Sequence, residues 1–264
     1  MNIHPKKSLG QNFLVDQNIL NKIIELGEIK NDDIILEVGP GTGMLTEKIL
    51  EKKPKKITVV EKDKRLAEIL KKKFNTNIQI INEDILNYSQ TDYLKEKIII
   101  FGNLPYNIST QILINWIRIN DLNSFCKRFI LMFQKEVADR IIAKKNSKEF
   151  GRLSVLCNWR LKIKKHFNVS KNCFFPKPKV NSTILSFEPK LDNKFNIKNP
   201  KNLENVTRIL FSNRRKMINK NFLKLFKGDK SIAKKLDLDL TQRPGELSNE
   251  MFYKITSLYE NLMY

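Results

Sequence analysis

With 264 residues, 41% of them hydrophobic, and a net charge of +21, the chain can bury one large core plus a small appendage beneath a surface that attracts polyanions. No apolar run approaches the roughly 20 residues of a membrane-spanning helix, which excludes such a span. Segment Met1–Gly10 is basic but lacks the apolar stretch of a secretory signal, so the expected location is cytoplasmic.

In chain order, Ile34–Val38, Ile57–Val60, Ile78–Ile81, Ile98–Phe101 and Phe129–Phe133 read as buried strands. Between them Asp63 can cap a helix whose apolar face is Leu66, Ile69, Leu70 and Phe74, and a further helix runs from Ser109 through Trp116. Leu153–Trp159 fits strand or helix by period alone. Val180–Phe187 alternates as a late strand, and Leu203–Phe211 and Ile218–Phe226 are basic amphipathic helices. The expected fold is α/β: a Rossmann-like domain over residues 1–190, its sheet mostly parallel with a late antiparallel strand, then a small all-α domain over 191–264. Glu188–Pro200 reads as the linker between them.

Cys126, Cys157 and Cys173 lie far apart and only His4 and His166 accompany them, so neither a disulfide framework nor a zinc site is expected, and no metal. A Lys-, Asn- and Ile-rich coding bias accounts for part of the positive charge. The charge therefore suggests a nucleic acid without choosing one. Nothing speaks to oligomeric state, and a monomer is the default expectation.

The first strand runs into Glu37-Val38-Gly39-Pro40-Gly41-Thr42-Gly43 and then a helix. Gly39 and Gly41 permit a tight turn that a ligand can approach without meeting a Cβ. About 20 residues on, Glu61 closes the next strand, where it can accept hydrogen bonds from ribose hydroxyls. Met44 stands where a dinucleotide fingerprint needs its third glycine, which makes a nicotinamide oxidoreductase remote, and no P-loop lysine follows. The Glu-x-Gly-x-Gly-x-Gly spacing resembles that of S-adenosylmethionine enzymes. In such a fold Asp84, after the third strand, reaches the adenine amino group of the cofactor.

After the fourth strand comes Asn103-Leu104-Pro105-Tyr106. An aromatic amine is a poor nucleophile because its lone pair is delocalised. The Asn103 carboxamide oxygen and the Leu104 carbonyl can accept its two N–H groups and aim the lone pair at a methyl donor. Pro105 holds that backbone in place, and Tyr106 offers a flat ring to a base removed from its stack.

These motifs resemble the ribosomal RNA adenine N6-dimethyltransferases, and the likeness covers nearly the whole chain. Lys7-Ser8-Leu9-Gly10-Gln11-Asn12-Phe13-Leu14 is similar to the family's N-terminal segment, which implies cofactor contacts at Asn12 and Leu14; Gly39, Glu61, Asp84 and Asn103 match the others. Phe174-Phe175-Pro176-Lys177-Pro178-Lys179-Val180 resembles the family's Phe-x-Pro-x-Pro-x-Val, implying that Phe174 stacks on the target base opposite Tyr106. Asn181 departs from the acid common before the following serine. Gly151 onward is similar to a helix start in the family. Gln134–Ala138, Gly151–Val155, Arg214-Arg215-Lys216 and Arg243–Leu247 resemble the housekeeping, small-subunit branch.

That branch implies methyl transfer from S-adenosylmethionine to N6 of two adjacent adenosines in the hairpin loop near the 3′ end of 16S ribosomal RNA, in the assembling 30S subunit. The basic C-terminal helices are expected to dock phosphates. The alternatives are a macrolide-resistance specificity for 23S ribosomal RNA, or a mainly non-catalytic checkpoint factor for subunit assembly.

Overall fold

A computed structural model describes residues 4–6, 9–88, 96–192, 194–195 and 197–263. They form two compact units: the described residues as far as Ala138 with Lys162–Pro189, and Asp139–Leu161 with those from Lys190 onward.

The first unit opens with β1 (Phe13–Leu14) and α1 (Gln17–Gly27), whose N-terminus is capped by the Asp16 carboxylate accepting from Asn18 and Ile19 N–H. Then β2 (Ile34–Val38), α2 (Met44–Glu51), β3 (Lys56–Val60), α3 (Lys64–Phe74) and β4 (Gln79–Ile81) alternate. Asp63 caps α3 as the sequence indicates, and Leu66, Ala67, Leu70 and Phe74 form its buried stripe. After β5 (Ile98–Asn103) come α4 (Ser109–Ile117), α5 (Leu122–Phe125), β6 (Cys126–Gln134) and α6 (Lys135–Ile142), within which the division between units falls. Next are α7 (Arg152–Arg160), β7 (Leu161–Val169), β8 (Phe174–Phe175) and β9 (Ser182–Pro189).

Among the described residues seven strands form one sheet in the order β4-β3-β2-β5-β6-β9-β7, and β1 pairs with β8 in a separate ribbon. β4, β3, β2, β5 and β6 run parallel, and β9 is antiparallel to β6. Every residue of β2 is buried, as expected of a central strand covered on both faces. β7 carries no strand signal in the sequence because its Leu-Lys-Ile-Lys-Lys-His-Phe-Asn-Val run is half exposed and lysine-rich. Those are the properties of an edge strand that discourages further pairing.

The second unit departs from a linear division at residue 190, because α7 belongs to it. The Tyr253 hydroxyl donates to the Val155 carbonyl at 2.9 Å, and Lys190 N–H donates to the Arg160 carbonyl at 2.8 Å. Here α7 resolves the ambiguity of Leu153–Trp159: its hydrophobic residues are buried all round, so periodicity carried no signal. Among the described residues the remaining α-helices are α8 (Pro200–Leu210), α9 (Asn219–Leu225), α10 (Ser231–Lys235) and α11 (Asn249–Met263). Phe211 stacks on Phe252 at 5.2 Å between centroids, with Phe150 against both. Among the described residues no helix is long and apolar enough to cross a membrane.

Candidate active site at the strand ends

Sheet register assembles the site. Val38 pairs with Gly102 on one side and Val60 on the other, and Val60 pairs with Ile81. The residues that follow these strands, or end them, therefore stand side by side: Asn103, Gly39 and Glu61, with Asp84 beyond. Chain order reverses between β2 and β5, which makes this the crevice where open α/β sheets bind ligands.

A cavity of about 290 Å³ opens there. Its walls include every expected site residue except Phe174: Asn12, Leu14, Gly39, Gly41, Glu61 and Asp84, and the run Asn103 to Tyr106. Phe174 pairs with Leu14 and is 4% exposed, within the same apolar cluster as Met132 and Ile184, which line the cavity. Phe175 pairs with Phe13 and is 59% exposed. Phe174 is thus buried beside residues that line the cavity, and Phe175 is the exposed member of the pair.

Gly39 and Gly41 both have positive φ, +69° and +59°. A Cβ at Gly41 would lie 2.8 Å from the Phe13 ring, and one at Gly39 would project to 3.6 Å from the Asn103 carbonyl, narrowing the gap between the two strand ends. Gly41 N–H donates to one Glu61 oxygen at 3.3 Å and Asp63 N–H to the other at 2.8 Å. Burial raises the Glu61 carboxyl above its ordinary range, against those two N–H donors. Asp84 sits lower than usual: its burial opposes ionisation, but the Lys62 ammonium at 2.8 Å and the Leu86 N–H outweigh it.

Glu37 belongs to the glycine-rich motif, but nothing in the motif's spacing marks a role for it. It lines the cavity at 1% exposure, accepts the Thr46 hydroxyl at 2.6 Å, and is pushed up to about 7 by burial. The Asn103 carboxamide donates to the Asn12 carbonyl at 3.0 Å. The Tyr106 hydroxyl and Ser182 Oγ lie 2.7 Å apart, and burial raises the phenol.

The group implied by this motif is an adenosine-bearing sulfonium, and the residues fit it. A buried carboxylate at a strand end suits two ribose hydroxyls, and the absence of a Cβ at Gly39 and Gly41 leaves room against the turn. Among the described residues no three His, Cys, Asp or Glu gather as metal ligands.

A parallel α/β sheet with a glycine-rich first turn, an acid after the next strand and a carboxamide ending the fourth defines a Rossmann-like methyltransferase. Within that class the chain belongs to the ribosomal RNA adenine dimethylase family, whose model matches residues 2–261. It is 50% identical over 262 residues to the ribosomal RNA small subunit methyltransferase A of Pelagibacter ubique (strain HTCC1062), covering 99% of each chain. The same-named protein of Malacoplasma penetrans (strain HF-2) is 41% identical over 94% of this chain and 90% of that one. A crystal structure of a dimethyladenosine transferase from Plasmodium falciparum superposes with a TM-score of 0.77 at 29% identity, covering 92% of this chain and 95% of that one. The chain is a ribosomal RNA methyltransferase.

Proposed function

We propose that this protein transfers methyl groups from S-adenosylmethionine to N6 of two adjacent adenosines in the hairpin loop near the 3′ end of 16S ribosomal RNA, acting on the assembling 30S subunit in the cytoplasm. The observation that carries this reading is the oriented amide of Asn103. Because its nitrogen donates to Asn12, its oxygen is the end offered as acceptor. When bound, S-adenosylmethionine supplies an electrophilic methyl on sulfur.

The chain's residues present the amine to it. Asn103 Oδ1 and the Leu104 carbonyl accept the two N–H groups of N6 and draw its lone pair out of conjugation. Pro105 and the buried Leu104 side chain, 1% exposed, hold that carbonyl before substrate arrives. Tyr106, its hydroxyl tied to Ser182, gives the extruded base a face to stack on. A loop base is already partly unstacked, so extrusion costs less than from a duplex. No strong general base is needed, because the alkylated nitrogen is acidic. Arg214, Arg215 and Lys216, all exposed in the second unit, suit phosphate docking.

Unmethylated small subunits incubated with labelled S-adenosylmethionine, followed by nucleoside mapping, test the reading. Label in N6,N6-dimethyladenosine at two adjacent positions of 16S ribosomal RNA is the expected result. Methylation confined to 23S ribosomal RNA overturns it.

A further inference from the structure

Two carboxylates stand two residues apart in the turn after β3. Glu61 lines the cavity, whereas Asp63 does not. The Asp63 side chain is 1% exposed and takes donors from three directions. Arg65 reaches it at 2.8 Å through Nη2 and at 3.1 Å through its backbone N–H, Gln11 Nε2 at 3.0 Å, and Lys6 Nζ at 3.3 Å. The Arg65 guanidinium, then Gln11 and Lys6, hold the Asp63 carboxyl well below the usual range, against its burial.

The donors from the N-terminus are themselves linked. Lys6 N–H donates to Gln11 Oε1 at 2.7 Å, and Arg65 Nη2 reaches the His4 carbonyl at 3.5 Å. Leu9, Gly10, Gln11 and Asn12 form one wall of the cavity. Downstream, that wall is fixed by Asn103 on the Asn12 carbonyl and by the β1–β8 ribbon. Upstream, its ties run to Asp63 and, through His4, to Arg65. A short segment outside helix and sheet opens locally at little cost unless such ties hold it, and a buried carboxylate bonded to charged donors is among the stronger ones.

We propose that Asp63 is a positioning residue for methyl transfer: through Gln11 and Lys6 it holds the Leu9–Asn12 wall over the donor cavity and so sets donor affinity rather than the rate of chemistry. This rests on the reading of that cavity as the site for S-adenosylmethionine. The division of labour is physical. Glu61 faces the ligand from the turn, and Asp63 faces the chain that covers it.

Two variants separate this role from support of α3. Gln11→Ala leaves the α3 cap untouched, and Asp63→Asn keeps a good capping residue while removing the charge. Hydrogen exchange in the free protein is expected to quicken about tenfold at residues 9–14 in both, with residues 64–74 unchanged. The Kd for S-adenosylmethionine, by calorimetry, and the KM for it rise about tenfold, while kcat stays within about twofold. Unchanged exchange at residues 9–14 in Gln11→Ala, or a fall in kcat with constant KM, overturns the proposal. A wild-type protein that does not bind S-adenosylmethionine refutes the reading of the cavity instead, and exchange in the free protein still decides whether Asp63 holds the wall.

Discussion

Asn103 and Asn12 are joined by a 3.0 Å hydrogen bond from the carboxamide of one to the backbone carbonyl of the other, and that bond decides which end of the amide faces the cavity. One contact thus ties the N-terminal wall to the end of β5 and leaves the amide oxygen as an acceptor for the amine of the proposed reaction.

Replacing Asn103 tests both roles. Asn103→Ala loses the acceptor, and methyl transfer is expected to fall by about 10²–10³-fold in kcat, the usual cost of one group aimed at the transition state. Asn103→Asp turns a carboxylate oxygen on the Asn12 carbonyl, so it should also speed exchange in residues 9–14. A fall in kcat of less than about fivefold in the alanine variant contradicts the assignment.

For Tyr106 the ring matters more than the hydroxyl. Tyr106→Phe keeps the stacking face and loses one hydrogen bond with buried Ser182, so activity should drop only a few-fold. Tyr106→Ala removes stacking worth about 1–3 kcal/mol, or roughly five- to 150-fold in kcat/KM. Equal losses in the two variants argue against base stacking.

Glu37 carries a pH dependence of stability. Its carboxyl is pushed from the usual 4.5 to about 7 by burial, with Thr46 lowering it and Glu61 raising it. Between these values the folded chain holds a proton that the unfolded chain has lost. The contribution is therefore complete below about 4.5 and is lost as pH rises through about 7. Glu37→Gln cannot titrate, so denaturation midpoints of the free protein should fall less between pH 5 and 7.5 than in the wild type. Identical pH slopes would refute this.

Glu260 organises the second unit. At 4% exposure its carboxylate accepts Lys198 N–H at 2.8 Å, Asn199 N–H at 2.9 Å and the Asn202 amide at 2.9 Å, where α8 begins. Glu260→Ala strands those donors and should cost about 2–4 kcal/mol in chemical denaturation, with Glu260→Gln recovering part of it. A change below about 0.5 kcal/mol in the alanine variant removes Glu260 from this role.

Much of the site was legible because its chemistry is local. Gly39 and Gly41 must lie in a turn that tolerates positive φ, and the Asn103–Tyr106 run must follow a strand. Both hold in the structure. Gln11 appeared only as part of a family motif, and Asp63 only as a helix cap, because their bond spans 52 residues and no local pattern encodes it. Phe174 was singled out from Phe175 by the family motif alone, since two adjacent phenylalanines differ only in which face of β8 they occupy.

By itself the sequence determined the alternation of strands and helices, the glycine turn and the acceptor at the end of β5, because periodicity and backbone freedom are properties of neighbouring residues. The grouping of α7 with the C-terminal helices, the inward turn of Phe174 and the tie from Gln11 to Asp63 were decided by tertiary structure. Each depends on which distant surface a side chain is buried against, and burial between segments far apart in the chain is set by the packing of the whole unit.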